Sequence, residues 1–152
     1  MKKATFLLAA AALILIPQLL SAQCINGTKS YPIYKAGAAI VNEFDTQGKE
    51  IVRIEYDLIF DSKESFRSLT TDWEYSIIAF ADDGVKDIDV KIYTYDDLLE
   101  QWNLVAQDNS TESFSIITYQ PAETGLHKIE VIVYEFNEGY TAARYGLFIV
   151  HD

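Results

Sequence analysis

Residues 51–61 read IVRIEYDLIFD. Val52, Ile54, Tyr56, Leu58 and Phe60 fall on one side of an extended chain and Arg53, Glu55, Asp57 and Asp61 on the other, the period of two expected of a half-buried strand. The alternation recurs down the chain. Trp73, Tyr75, Ile77 and Ala79 share one side of residues 73–81, and Ile88, Val90 and Ile92 share one side of residues 88–95, opposite Asp89, Lys91 and Tyr93. Further strands are expected over residues 102–107, 113–119, 126–136 and 145–151. The turns DDG (82–84), DNS (108–110), ETG (123–125) and NEG (137–139) separate them. Short strands broken in this way predict an all-β chain folded as one antiparallel β-sandwich. Ile88, Val90, Ile92, Ile129, Val131 and Val133 are its expected inward residues, and residues 35–44 its one expected helix. Gly125 and Gly139 each precede a strand, where a backbone angle open to glycine would reverse the chain.

A length of 152 residues allows one domain, and 49% apolar residues can build a core. The formal charge of −11 sets aside binding through phosphate neutralisation, and so a nucleic-acid partner. A single cysteine excludes an internal disulfide, and with two histidines it excludes zinc-finger spacing. Lys2 and Lys3 precede an uncharged run from Ala4 to Leu20 and then Ser21 and Ala22, the order of a secretory signal cleaved after residue 22. The division expected is therefore a signal peptide over 1–22, a segment of unassigned structure over 23–50 and the sandwich over 51–152. Loss of Lys2 and Lys3 takes the charge to −11 − 2 = −13, and no membrane span is expected to remain. Gln23 stands where lipoprotein signals carry a small residue, so Cys24 reads as a free thiol rather than an acylated one.

From Ser65 to Val150 the order of motifs resembles the bacterial pre-peptidase C-terminal domain and its jelly-roll-like relatives. The matching pieces are WEYSIIAFADDG (73–84), DIDVKIY (87–93), AQDN (106–109), PAETGLHKIEV (121–131) and YGLFIV (145–150). The resemblance implies a jelly-roll-like sandwich that binds or chaperones rather than catalyses. Such domains are appended to secreted hydrolases or stand alone; with no catalytic domain beside the match, a stand-alone relative is expected here.

Two sets of residues are candidates for a site. Asp82, Asp83, Asp87, Asp89 and Asp108 cluster around turns and could supply the oxygen ligands that Ca²⁺ requires; the alternative is a solvated acidic turn. Tyr93, Tyr95 and Trp102, with Tyr119, Tyr134 and Tyr140, could form an aromatic platform for sugar; the alternative is cross-strand packing. His127 and His151 have no nucleophile elbow, and a glycosidase-like carboxylate pair is decided only by a measured separation. The triplets at 26–28 and 109–111 match glycosylation acceptors and read as turns. The expected function is a secreted or periplasmic, non-catalytic accessory or binding module, whose partner is a protein or polysaccharide at the envelope or outside the cell. A Ca²⁺-stabilised carbohydrate- or envelope-binding domain is the alternative, and a small secreted hydrolase the third reading. The intact mass of the exported product is expected to match a chain beginning at Gln23; a retained signal or a lipidated Cys24 would refute it.

Overall fold

Eight strands carry the architecture: β1 (Glu50–Ile59), β2 (Ser62–Leu69), β3 (Tyr75–Ala81), β4 (Val85–Asp96), β5 (Gln101–Gln107), β6 (Phe114–Tyr119), β7 (Gly125–Phe136) and β8 (Ala143–His151). In this computed structural model, which describes residues 29–152, they form two four-stranded antiparallel sheets. The first has the order β1-β8-β3-β6 and the second β2-β7-β4-β5. Sequence neighbours β1 and β2, β3 and β4, β5 and β6, and β7 and β8 thus lie in opposite sheets, so that the chain winds as a jelly roll. The expectations for the signal segment, Cys24 and the triplet at 26–28 lie outside the described residues.

The two sheets meet through their period-two faces. Ile88, Val90 and Ile92 of β4 and Ile129, Val131 and Val133 of β7 join Ile77, Ala79, Leu147 and Ile149 of the first sheet in one buried cluster. All six expected inward residues are in it. Trp73 precedes β3, which begins at Tyr75, and its ring stacks at 4.4 Å on His151, the ring that Tyr75 meets edge-on. Gly139 has the left-handed φ of 86° anticipated for a reversal, whereas Gly125 has no positive φ and simply opens β7.

In β1 the alternation is present but its polarity is corrected. A bulge between Ile51 and Arg53 places Val52 against the inner core and reverses the phase after it. Ile59 is therefore fully buried while Phe60 is 60% exposed, and Tyr56 packs on the outer surface of the first sheet. Arg53, Glu55 and Asp57 turn toward β2. Glu55 takes the ion pair of Arg53 and a 2.6 Å hydrogen bond from the Ser65 hydroxyl, and Asp57 pairs with Lys63 at 2.7 Å. Charged groups close the open edge between the sheets, a device that discourages a foreign strand from adding there. β2 itself, SKESFRSL, has too few apolar residues to register as a strand in sequence; pairing along its length with β7 creates it.

A helix, α1 (Ser30–Gln47), extends beyond the expected residues 35–44 at both ends. Ile33, Gly37, Ile40, Val41 and Phe44 recur at helical spacing, and this stripe lies on Ile78, Phe80, Phe148 and Val150 of the first sheet. Gly48, at φ 75°, stops the helix. The helix covers one sheet and leaves the other bare. A Cβ on Gly37 would collide with the Tyr56 hydroxyl and lie 3.1 Å from Phe148. Tyr56 cannot swing aside cheaply, because Tyr34, Phe80 and Phe148 surround it edge-on. Gly37→Ala should therefore cost about 1–2 kcal/mol by overpacking, despite alanine's better helix propensity. Urea unfolding should show partial recovery when Tyr56→Phe is added, and simple additivity would refute the contact.

Candidate functional site

The register that buries alternate residues of β4 and β7 turns the others outward on the uncovered second sheet. One row across it reads Phe66 of β2, Lys128 of β7, Tyr93 of β4 and Leu104 of β5; the next has Tyr95 opposite Trp102. The rings meet: Tyr95 and Trp102 lie 5.2 Å apart, and Phe66 and Trp102 5.7 Å apart. Lys128 sits over Tyr93 at 4.4 Å and Trp102 at 5.7 Å, and pairs with Glu64 at 2.9 Å. Its side chain is only 14% exposed, so its methylene stem lies along the rings while its ammonium is held by the carboxylate. The Tyr93 hydroxyl donates to Glu130 at 2.8 Å; burial and this bond push its pKa up to about 12, so it remains a donor. Phe66 and Tyr95 are 47% and 43% exposed. Tyr93, Tyr95 and Trp102 thus lie near one another on this face, with Tyr95 and Trp102 in ring contact and Lys128 over both Tyr93 and Trp102. Tyr134 is exposed beside Lys91, Tyr119 lies elsewhere, and Tyr140 packs near Gly84. Phe66 and Lys128 were missed, because β2 was not legible and Lys128 is one of many surface lysines in sequence.

Beyond Tyr95 the second sheet ends in a cleft of about 870 Å³, between the β4–β5 turn and the β6–β7 loop. At its base Tyr119 and His127 share a 3.1 Å hydrogen bond, and His127 Nδ1 donates to the Gly125 carbonyl at 2.9 Å. Both ring nitrogens are engaged and the ring is buried, so His127 is not presented as a base. His151 bonds the Asp152 carbonyl and stacks on Trp73.

The five aspartates do not converge. Asp82 accepts from the backbone N–H groups of Gly84 and Arg144, at 2.9 and 3.0 Å, and so ties the β3–β4 turn to β8. Asp83 is exposed beside it. Asp87, Asp89 and Asp108 lie near enough to influence one another's charge. Burial pushes Asp108 up, but hydrogen bonds from Ser110 and Asn109 outweigh it and bring its carboxyl below the ordinary value. Asp89 goes the other way, to about 6, through burial and then repulsion from Asp108 and Asp87. One oxygen each of Asp87 and Asp89 is buried without a partner. Among the described residues, no three His, Cys, Asp or Glu side chains are disposed around a common metal position.

No protein-family model matches the chain, and no curated protein matches it. Among solved structures it is similar to the pre-peptidase C-terminal domain of collagenase from Bacillus anthracis, at 10% identity over 64% of this chain and 87% of that one, TM-score 0.48. It is also similar to PliG, a periplasmic inhibitor of g-type lysozyme from Aeromonas hydrophila, at 6% identity over 68% and 86%, TM-score 0.40. A structure of CBM4 matches at 19% identity over 68% and 77%, TM-score 0.38. The architecture stands on the strand order itself. No helix among the described residues is long and apolar enough to cross a membrane.

Asp89 gives the acidic cluster a measurable signature. It is 5% exposed, and its folded form holds a proton more tightly than the unfolded chain does. Its contribution is therefore favourable at low pH and is lost as pH rises from 3.8 through about 6. Two pKa units bound the effect at about 3 kcal/mol. Asp89→Asn should stabilise the protein by about 1–3 kcal/mol near neutral pH and flatten the acid limb of its stability profile. Denaturant unfolding across that range checks this, and a destabilised variant at neutral pH would refute it.

Proposed function

We propose that the protein is a non-catalytic binding module that takes a polysaccharide on the outer face of its second sheet. The observation that carries this reading is the cluster of Phe66, Tyr95 and Trp102 around Lys128, on the one sheet that the helix leaves uncovered. Apolar rings in contact on a solvent face are costly to a soluble protein unless something covers them. A pyranose ring suits them: its apolar C–H face lies on an aromatic ring, while its hydroxyls reach polar groups at the rim. Lys128, Glu64 and Glu130 border the rings here and supply both donors and acceptors. The pairings within the sheet account for part of the cluster as cross-strand packing. They do not account for the area that Phe66 and Tyr95 leave open.

The reading places the protein outside the cytoplasm, in keeping with the secretory pattern of residues 1–22. It assigns no catalysis. The two histidines are committed to structural hydrogen bonds, and the platform is a surface rather than an enclosed reaction site. A protein client is favoured by one separate feature, the β4–β5 turn. There Asp96 accepts from the N–H groups of Leu98 and Leu99 at 2.9 and 3.0 Å, a rigid turn that holds both leucines out in solvent.

Affinity electrophoresis through gels containing neutral polysaccharides tests the platform. Trp102→Ala should weaken retention by about thirtyfold, the effect of losing roughly 2 kcal/mol at a central aromatic contact. Ile116→Ala, on the exposed face of the first sheet, should leave retention unchanged. Equal retention of both variants and the parent would overturn the assignment.

A further inference from the structure

We propose that β6 is a dimerisation edge, on which a second copy of the chain pairs antiparallel about a two-fold axis through Ile116. The proposal stands apart from the polysaccharide reading, because the platform lies on the other sheet.

The edge of a sheet exposes unpaired backbone groups, and proteins blunt it with charges, prolines or bulges. Three of the four edges here are blunted. β1 alternates Arg53, Glu55 and Asp57, β2 carries Lys63 and Arg67, and β5 is interrupted by a bulge at Val105. β6 has no such guard. It pairs with β3 in unbroken register, and residues 113–122, SFSIITYQPA, form the longest run without a charged side chain between residues 29 and 152.

The phase of the ladder decides what this edge presents. The Ala81 N–H donates to the Ser113 carbonyl at 3.1 Å, so Ser115, Ile117 and Tyr119 turn their N–H and C=O groups to β3. Phe114, Ile116 and Thr118 turn theirs to the free side, where no strand among the described residues meets them. Their side chains share the outer face. Phe114 and Ile116 lie opposite Phe80 and Ile78, which α1 covers, yet remain 44% and 51% exposed themselves. A two-fold axis through Ile116, perpendicular to the sheet, sets Ile116 opposite its copy and Phe114 opposite Thr118 of the second copy. Each facing pair then exchanges both backbone bonds, and the apolar outer faces meet.

Charge selects the occupant. In a two-fold pairing the residue on the axis meets itself and its neighbours meet one another, so a charged edge repels its own copy. β6 has no charge to repel and none to draw an ionic partner. In a chain of formal charge −11, β6 itself is the strand uncharged enough to lie along β6. Pairing consumes the edge in both copies, so assembly closes at two and joins the first sheets into one.

Sedimentation equilibrium of the purified protein tests this, with hydrogen exchange read residue by residue. A short ladder with little side-chain burial gives a dissociation constant on the order of 10 μM. At about 100 μM, roughly four fifths of the chains should then be paired, and the amides of Phe114, Ile116 and Thr118 should exchange about fivefold more slowly than in dilute solution. Added salt should tighten the dimer, since it screens the repulsion between two acidic chains. Thr118→Pro removes an outward donor and no bond to β3, and Ile116→Lys sets a charge against its copy on the axis; both should remain monomeric. Ile116→Ala keeps the ladder and should still dimerise. Melts in dilute solution, where the parent is itself monomeric, verify that the variants fold. A dimer that survives both Thr118→Pro and Ile116→Lys would overturn the proposal, as would one whose three edge amides exchange freely. So would a parent that stays monomeric; protection of the same amides in that monomer by a synthetic SFSIITYQ peptide would assign the edge to a foreign strand instead.

Discussion

The pairing of β4 with β7 is the constraint from which the rest follows. Ile88 opposite Val133, Val90 opposite Val131 and Ile92 opposite Ile129 must face the other sheet, because only that direction removes them from water. A strand has no third direction. Tyr93, Tyr95, Lys128 and Glu130 are therefore turned to the opposite surface by the same register, and a slip of one residue would exchange core and platform completely. One geometric variable sets both the core and the outer face of this sheet.

The two sheets are treated unequally. β3 and β8 are apolar on both faces, in the runs SIIAFA and YGLFIV, and need a cover on each. α1 supplies it, approaching closely where Gly37 admits the Tyr56 hydroxyl. The outer surface of the second sheet carries lysines, carboxylates and rings in alternation, which water tolerates and a packed helix would not. A sheet left open with aromatic rings on it is a surface suited to a ligand. Asp89 shows the opposite economy: buried, with one oxygen unpartnered, it is held at a cost to stability that packing does not explain.

Much of this was legible in the chain alone. The period-two alternation with its polar turns determined the all-β class, the seven apolar strands and the six inward residues of β4 and β7, since apolar periodicity is a local record of burial. Tyr93, Tyr95 and Trp102 could also be nominated, because they stand on adjacent strands at matching phase. Only the tertiary structure decided the rest. The bulge at Val52 reverses the faces of β1 without changing its alternation, and β2 exists through its ladder with β7 despite a polar sequence. The aspartates were grouped by closeness in sequence, yet Asp82 ends in a turn while Asp108 reaches Asp89 from another strand's end. Phe66, Lys128 and the cleft at Tyr95 depend on which strands are neighbours across a sheet. Neighbourhood of that kind is fixed by long-range pairing, and a linear pattern records a residue's burial without recording what it is buried against.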